Sequence, residues 1–244
     1  METVEKRQRG RPRSFNAPAD ATSVQALDRG LKILAIVADG DALSLSEVAA
    51  RSGIAASTAY RMGSAFLRRR KLVDRARTVM QELMEATGET ANLGVAEDDC
   101  VVFVSQVETH QAIRAFFRPG TRSPFHASGI GKAILSHLMP ERIAAIVRKE
   151  GLEAYTDKTL ADPASLASDL AESQARGFAI DDEERNEGMR CVAAAIFNEF
   201  GEPVAGISVS GPTVRVTPQR AAMLGPLVAR AAVEVTKAIG GKAP

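Results

Sequence analysis

Residues 44–62 read SLSEVAARSGIAASTAYRM, a stretch that predicts two short helices joined by a tight turn. Ser44 and Glu47 have the spacing of a capping box, in which each side chain satisfies a backbone N–H at the start of a helix. We expect this helix to run through about Ser52, and Gly53 to supply the turn, because glycine adopts left-handed backbone angles at little cost. The pattern therefore predicts a pair of helices that pack closely.

The spacing of Ala49, Gly53 and Ala59 is that of a helix-turn-helix, in which small residues let the two helices approach. A simple helical hairpin has the same pattern, so spacing alone leaves both interpretations open. We expect DNA binding, because a basic segment lies upstream. The exposed face of the second helix would then carry side chains to phosphates and base edges, namely Ser57, Thr58, Tyr60 and Arg61.

The basic segment occupies residues 6–13, which contain five lysines and arginines and no acid. One interpretation is a solvated, disordered tail within residues 1–19. The other is an arm that lies on phosphates or in a minor groove, with contacts from Arg9, Arg11 and Arg13. Glycine and proline between these arginines would keep such an arm slim and extended.

The composition is that of a globular protein rather than a disordered or fibrous one. The chain has 244 residues, of which 45% are hydrophobic and 25% charged, and its net charge is +1. Its apolar runs are too short to cross a membrane, and the N-terminus lacks a signal-peptide pattern, so we expect a cytoplasmic protein. Two cysteines fit a reducing compartment.

The pattern of apolar residues changes near residue 89. Residues 63–88 predict one long linking helix that ends at Gly88. Beyond it, strands and helices alternate, which predicts an α+β domain with an antiparallel sheet over residues 89–244. The predicted strands are 92–96, 100–107, 113–117, 191–197 and 203–210, and the predicted helices are 131–137, 141–149, 164–176 and a last one from Pro218 with a kink at Pro226.

Two motifs of this domain could hold a small anion. Residues 128–131 read Ser-Gly-Ile-Gly and open a helix whose free N–H groups could bind one carboxylate, although an ordinary glycine-rich helix start has the same sequence. They lack the full pattern of a phosphate loop. Ser208 and Ser210 alternate with Val209, so both hydroxyls lie on one face of a strand. Buried there, they need partners, from the backbone or from a ligand.

Other clusters favour no catalytic or metal site. Residues 181–184 are four consecutive acids, and the histidines have no metal-ligand spacing with them, so we expect no metal. Asp181 could still point inward. Cys191 and His126 could form a nucleophile–base pair, but a lone cysteine opening an apolar strand is more often a core residue. We therefore expect a sensor of a small acid rather than an enzyme.

Six blocks of the sequence together resemble the IclR family of bacterial transcription regulators. They cover nearly the whole chain and occur in the family's order: residues 44–62, 125–132, 149–156, 176–184, 188–193 and 207–212. The resemblance implies a winged helix-turn-helix, a helical linker and an effector-binding domain similar to the GAF fold. It also implies assembly as a dimer of dimers on a palindromic operator.

The resemblance also implies the positions of an effector pocket, and it is strongest to members that sense glyoxylate or pyruvate. The implied pocket residues are Gly129 and Ile130 through their backbone, Asp181, Cys191, Ser208, Ser210 and, as an apolar wall, Met189. No cofactor is implied other than such a small carboxylate effector. No catalytic residue is implied.

One departure from the family concerns the DNA-binding domain, which we place at residues 20–62. In the family a β-wing follows the recognition helix, whereas here Met62 runs directly into Gly63, which looks like the start of the linker. Given usual strand and helix lengths, about two dozen residues of the family pattern, which would form the end of the recognition helix and the wing, have no counterpart between Met62 and Gly63. The sequence predicts a ligand-responsive DNA-binding regulator, with two alternatives: a DNA-independent sensor, or an enzyme acting on 2-oxo acids through Cys191 and His126.

Overall fold

A turn at Gly53 separates two helices, α1 (Leu45–Ser52) and α2 (Ala56–Thr87), in this computed structural model, which describes residues 30–36 and 45–244. Gly53 has a φ of 69° and donates its N–H to Ala49 O over 3.0 Å. Both the predicted extent of α1 and the turn are confirmed. Ser44, the predicted cap of α1, lies outside the described residues.

The first helix predicted from the sequence, residues 24–37, is described only over residues 30–36, which are helical. Ile33, from this segment, packs in a small core with Val48 of α1 and with Ile54 of the turn. This core belongs to the first of two compact units into which the chain divides, Met1–Arg68 and Arg69–Pro244. The predicted domain boundaries near residues 62 and 88 stay predictions.

Helix α2 runs without a break through Met62 and Gly63 as far as Thr87. The second helix of the predicted helix-turn-helix and the predicted linking helix are therefore one helix. Gly88 ends it with a φ of 68° and an N–H that donates to Met84 O over 2.7 Å, as predicted. No strand occurs between residues 45 and 89, all of which the structure describes.

The second unit is built on one antiparallel sheet of six strands, which confirms the predicted α+β class. The strand order is β3-β2-β1-β6-β5-β4, and every neighbouring pair is antiparallel. Sequence analysis does not identify the two short edge strands, β3 and β4. The strands are β1 (Thr90–Glu97), β2 (Cys100–Val107), β3 (Arg122–Pro124), β4 (Ala179–Asp182), β5 (Met189–Phe197) and β6 (Pro203–Pro212).

Four further helices complete the unit: α3 (Gly129–Leu135), α4 (Pro140–Glu150), α5 (Pro163–Arg176) and α6 (Pro218–Ala238). Asp162 caps α5, since its side chain accepts the N–H groups of Ala164 and Ser165. Pro226 lies inside α6. None of the helices in the described part of the chain is apolar enough over a sufficient length to span a membrane.

The two faces of the sheet are buried against different helices. One face packs against the C-terminal part of α2 and against α6, in a core that includes Met80, Val209 and Val228. The other face packs against α3 and α5, in a core that includes Ile130 and Leu170. Helix α3 therefore lies over the same face of the sheet that carries the side chains flanking Val209 in β6.

Two predicted elements differ from the structure. Residues 113–117 form no strand: Ile113 is 73% exposed, and Phe117 instead stacks on Phe103 with the ring centroids 4.6 Å apart. Phe117 therefore contributes side-chain packing, and the segment makes no strand pairing. Helix α3 starts at residue 129, two residues earlier than predicted, because Ser128 caps it by accepting the N–H of Gly131.

Candidate functional site

A row of polar side chains crosses three adjacent strands on the α3 side of the sheet. The strand register pairs Asp181 of β4 with Cys191 of β5, and Cys191 with Ser210 of β6. Paired residues on neighbouring strands lie about 5 Å apart and point to the same face. Val209 packs in the opposite core, as predicted from the alternation, and Ser208 shares the face of Ser210. Asp181, Cys191, Ser208 and Ser210 are all buried.

The two serine hydroxyls have a common partner in Asn92 of β1. Asn92 Nδ2 donates to Ser210 Oγ over 3.1 Å and, more weakly, to Ser208 Oγ over 3.5 Å. Gln106 Nε2 donates in turn to Asn92 Oδ1 over 2.8 Å, which fixes the orientation of the amide. Because the serine oxygens accept these bonds, their own O–H protons remain available to donate to another group.

The start of α3 lies directly over this row. A Cβ at Gly129 would lie 3.2 Å from Ala193 Cβ and 3.4 Å from Cys191 Cβ, so the helix backbone approaches the sheet closely. At Gly131 a Cβ would lie 2.2 Å from Phe125 O. Gly129 therefore lets the first turn of α3 approach the polar row, which a larger residue would hold away, whereas Gly131 lets α3 pack against the backbone of Phe125.

A small cavity lies between the polar row and α3, and a water-sized sphere can enter about 20 Å³ of it. The structure brings all seven predicted effector residues together around this cavity. They are Gly129, Ile130, Asp181, Met189, Cys191, Ser208 and Ser210. The lining also includes residues that sequence analysis did not identify, among them Phe103, Phe117, Ser123, Arg185 and Asn186.

Burial raises the pKa of two carboxyl groups near the cavity. Asp181 has its pKa raised to about 6, mainly by burial, and accepts the N–H of Glu184 at Oδ1 over 2.9 Å. The pKa of Glu184 is raised to about 7, also mainly by burial, although the buried ammonium of Lys132 lies 2.5 Å from its Oε1. Lys132 Nζ also lies 3.0 Å from Asp169 Oδ2. This lysine is therefore committed to two acids.

The arrangement does not activate Cys191 as a nucleophile. Burial raises the pKa of its thiol, and the nearby charge of Asp181 raises it further, whereas a nucleophilic cysteine needs a lowered pKa. His126 has a ring nitrogen, Nε2, 2.9 Å from the carbonyl oxygen of Glu153, and it lines a different cavity. The nucleophile–base pair considered from the sequence is therefore not supported by the geometry.

Of the seven predicted DNA-contacting residues, three lie outside the described residues and four lie in helix α2. Arg9, Arg11 and Arg13 lie outside the described residues. Four others lie in the first two turns of α2, namely Ser57, Thr58, Tyr60 and Arg61.

Asn92 and Arg185 are two polar residues of this site that were not predicted from the sequence. Asn92 places an amide in an otherwise apolar strand. A buried amide needs hydrogen-bond partners, so this residue in the sequence already indicated a polar contact inside the domain. Arg185 lies in a loop between β4 and β5 that is rich in charged residues, and its position beside the cavity depends on contacts distant in sequence.

Comparison with family profiles places both parts of the chain in one family. Residues 26–76 match the IclR helix-turn-helix domain, and residues 64–237 match the C-terminal domain of the bacterial transcriptional regulator IclR. The two matches overlap over residues 64–76, within the uninterrupted helix α2.

Curated relatives match over nearly the full chain. The HTH-type transcriptional regulator BhcR of Paracoccus denitrificans is 46% identical over 265 residues, covering 96% of this chain and 95% of that protein. The acetate operon repressor of Salmonella typhimurium and the transcriptional repressor IclR of Escherichia coli are each 38% identical, covering 96% of both chains. Since 265 positions exceed the 244 residues of this chain, the Paracoccus protein has internal residues without a counterpart here.

Solved structures show the same fold. The crystal structure of the Thermotoga maritima IclR is 25% identical and has a TM-score of 0.68, over 89% of this chain and 99% of that one. The C-terminal domain of the Escherichia coli regulator KdgR is 28% identical with a TM-score of 0.63, over 70% of this chain and 99% of that one. The chain therefore belongs to the IclR family of ligand-responsive transcriptional regulators, and not to a family of enzymes.

Proposed function

We propose that this regulator senses a 2-oxo acid of two or three carbons, such as glyoxylate or pyruvate, in the cavity between α3 and the sheet. The observation that carries the proposal is the pair of buried serines beside the cavity, whose hydroxyl oxygens accept from Asn92, so that each O–H can itself donate. Hydroxyls that are placed to donate favour an anion, because a carboxylate oxygen accepts more strongly than a neutral group.

The size of the cavity supports a very small ligand. A volume of about 20 Å³ is little more than the space that one water molecule needs by the same measure. A ligand of a few non-hydrogen atoms fits with small adjustments, whereas an aromatic or sugar acid would require the walls to rearrange. The aromatic pair Phe103 and Phe117 forms one of these walls.

The donors around the cavity match the two ends of a 2-oxo acid. The backbone amides of Gly129 and Ile130, together with the hydroxyls of Ser208 and Ser210, would bind the carboxylate. Asp181 and Cys191 would meet the carbonyl group or its hydrate. Met189 would cover the ligand as an apolar wall.

A relative's name gives independent support for a short acid. One protein that is 38% identical is named the acetate operon repressor, and acetate is itself a two-carbon acid. We propose that this chain likewise controls genes for the metabolism of short acids, including glyoxylate.

We further propose that the chain acts as a homo-oligomer, a dimer or a dimer of dimers, on a palindromic operator in the cytoplasm. Ser57, Thr58, Tyr60 and Arg61, in the first two turns of α2, would contact the operator, and the arm with Arg9, Arg11 and Arg13 would lie on adjacent DNA. Ligand binding would shift the population of arrangements that match the half-site spacing.

Titration calorimetry of the full chain with glyoxylate and with pyruvate tests the ligand proposal. Heat of binding is expected with at least one of the two acids, and thermal unfolding should shift upward in its presence. Asp181→Ala and Cys191→Ala should abolish that shift, while Cys100→Ala, a buried cysteine outside the lining, should keep it. The absence of heat with both acids would overturn the proposal.

An electrophoretic shift with DNA from upstream of the protein's own gene tests the regulatory part, with and without the acid that binds. A shift that the acid changes supports a ligand-responsive repressor or activator. A second candidate, a sensor that no longer binds DNA by itself, is favoured by the uninterrupted helix α2 and by the residues that relatives have in addition. Ligand binding without any DNA shift would support that second candidate.

A further inference from the structure

We infer that Arg185 is the charge-selecting residue of the cavity, donating from its guanidinium to the carboxylate of the effector. This inference rests on the proposed function and extends it, since it assigns a role to a residue outside the predicted pocket. It concerns specificity: Arg185 would make the site bind anions in preference to neutral molecules of the same shape.

Charge balance is the first argument. Among the described residues that line the cavity, Arg185 alone is cationic and Asp181 alone is a carboxylate. Lys132 lies nearby, but its ammonium is committed to Glu184 and Asp169. An anionic ligand beside Asp181 would therefore be repelled unless Arg185 supplies the compensating charge.

An unpaired donor is the second argument. Arg185 Nη1 is buried and has no hydrogen-bond partner among the residues that the structure describes. A buried guanidinium nitrogen without an acceptor is costly, and a carboxylate placed in the cavity would satisfy it with a charge-assisted hydrogen bond. Arginine also suits a planar carboxylate better than lysine does, because its donors lie in one rigid plane.

The guanidinium is held in place by an aromatic ring. Arg185 Cζ lies 4.5 Å from the ring centroid of Tyr155, within the range of a cation–π contact. Tyr155 is itself fixed by its hydroxyl, which donates to Glu153 Oε2 over 2.9 Å. The side chain therefore has a preferred position even without ligand, which lowers the entropy cost of binding.

The loop that carries Arg185 is also tied down. Glu184 donates its N–H to Asp181 Oδ1, and the hydroxyl of Thr159 donates to Glu184 O over 2.5 Å. Glu183 has a φ of 64°, an uncommon value for a residue with a side chain, and its carbonyl accepts from Thr156 Oγ1 over 2.7 Å. These bonds hold the loop so that Arg185 faces the cavity.

Arg185 also borders a second, larger cavity of about 360 Å³ on its other side. Ser123 lines both cavities as well. The other arginine of the outer cavity, Arg122, is bonded to Glu97 and Asp99. Arg185 and Ser123 therefore lie where the linings of the two cavities meet.

Calorimetry with a matched pair of probes tests the inference: pyruvate, an anion, and pyruvamide, its neutral analogue. The wild-type chain should bind pyruvate in preference to pyruvamide. Arg185→Gln should weaken pyruvate binding by about tenfold to a hundredfold, the usual cost of losing a charged hydrogen bond, and should remove most of the preference. Arg185→Lys should keep part of the preference, and Arg148→Gln, at an exposed site on α4, should change neither affinity.

The ratio of the two affinities separates charge selection from a merely structural role. Damage to the fold would lower the affinities for pyruvate and for pyruvamide alike. An unchanged preference in Arg185→Gln, with pyruvate still bound, would overturn the inference and leave the proposed function standing. If the wild-type chain bound neither pyruvate nor glyoxylate, the proposed function would fail and the inference with it.

Discussion

Asn92 on β1 donates from Nδ2 to Ser210 Oγ on β6 over 3.1 Å, a diagonal contact, since the sheet register places Asn92 opposite Ser208. The direction of this bond matters more than its strength. Since the amide is the donor, the serine keeps its proton for a further partner, and Gln106 prevents the amide from turning over. Asn92 does not line the cavity itself, but it leaves the hydroxyls of Ser208 and Ser210 able to donate into it.

Asn92→Asp should weaken binding of the effector acid at least about tenfold. The carboxylate has the same shape as the amide but accepts hydrogen bonds, so it would take the serine protons and add a negative charge. Calorimetry with glyoxylate and pyruvate measures the effect. Gln174→Glu, which adds a negative charge at an exposed position on α5, is the control. Equal affinities in Asn92→Asp and wild type would contradict this role for the amide.

Two neighbouring glycines of α3 should respond differently to alanine. Gly131→Ala should lower the free energy of unfolding by about 1–3 kcal/mol, because the new Cβ would lie 2.2 Å from the backbone oxygen of Phe125. In Gly129→Ala the new Cβ would lie no closer than 3.2 Å to any atom, so the free energy of unfolding should fall less. The affinity for the ligand should still decrease. Urea denaturation of both variants checks the order, and a reversed order would show that α3 can shift freely.

Affinity for the effector should rise as the pH falls from about 8 to about 5. Asp181 and Glu184, with pKa values raised to about 6 and about 7, become protonated in this range, which removes negative charge beside the bound anion. Calorimetry across the range measures the slope, and Asp181→Asn should flatten it. An affinity that falls on acidification would contradict the assignment of an anionic ligand.

The same two groups set a stability trend in the ligand-free protein. Their folded pKa values lie above the ordinary values of 3.8 and 4.5, so the folded state binds more protons than the unfolded state between about pH 4 and pH 7. Their contribution to the free energy of unfolding should therefore decrease as the pH rises through this window. Urea midpoints of wild type and Glu184→Gln at several pH values measure it, and a wild-type slope that Glu184→Gln leaves unchanged would contradict the assignment to Glu184.

Glu89→Ala should destabilise the second unit by roughly 2–3 kcal/mol. The buried Glu89 carboxylate accepts from Arg215 through Oε1 and Oε2, and Arg220 Nη1 lies 3.1 Å from Oε1. The cost stays below that of a fully buried pair because the two arginine side chains are 25% and 32% exposed. Urea denaturation measures it against Glu234→Ala at an exposed site of α6, and equal stability of the two variants would speak against a structural role for Glu89.

The sequence predicted the longer elements of the fold well. The predicted strand 100–107 coincides with β2, and the start of α5 at Asp162-Pro163 is as expected, because capping residues and long apolar alternations are local signals. The edge strands β3 and β4 have three and four residues, which is too short for a periodic pattern. Residues 113–117 have the composition of a strand but find no strand to pair with.

For the candidate site, the resemblance to the family placed seven residues that the structure gathers around one cavity. Their binding roles stay predictions. Asn92 and Arg185 could not be placed in the same way, because their importance depends on contacts between distant parts of the chain: Asn92 acts through β6, and Arg185 through Tyr155. Local pattern carries no information on such pairs.

The stacked ring of Phe117 belongs to a segment without strand pairing, although it closes one side of the cavity. The depth of the recess is therefore set in part by a side chain that lies outside the strands of the sheet. Exchanging Phe117 for a smaller residue offers a way to retune this protein into a reporter for bulkier acids while the scaffold stays intact.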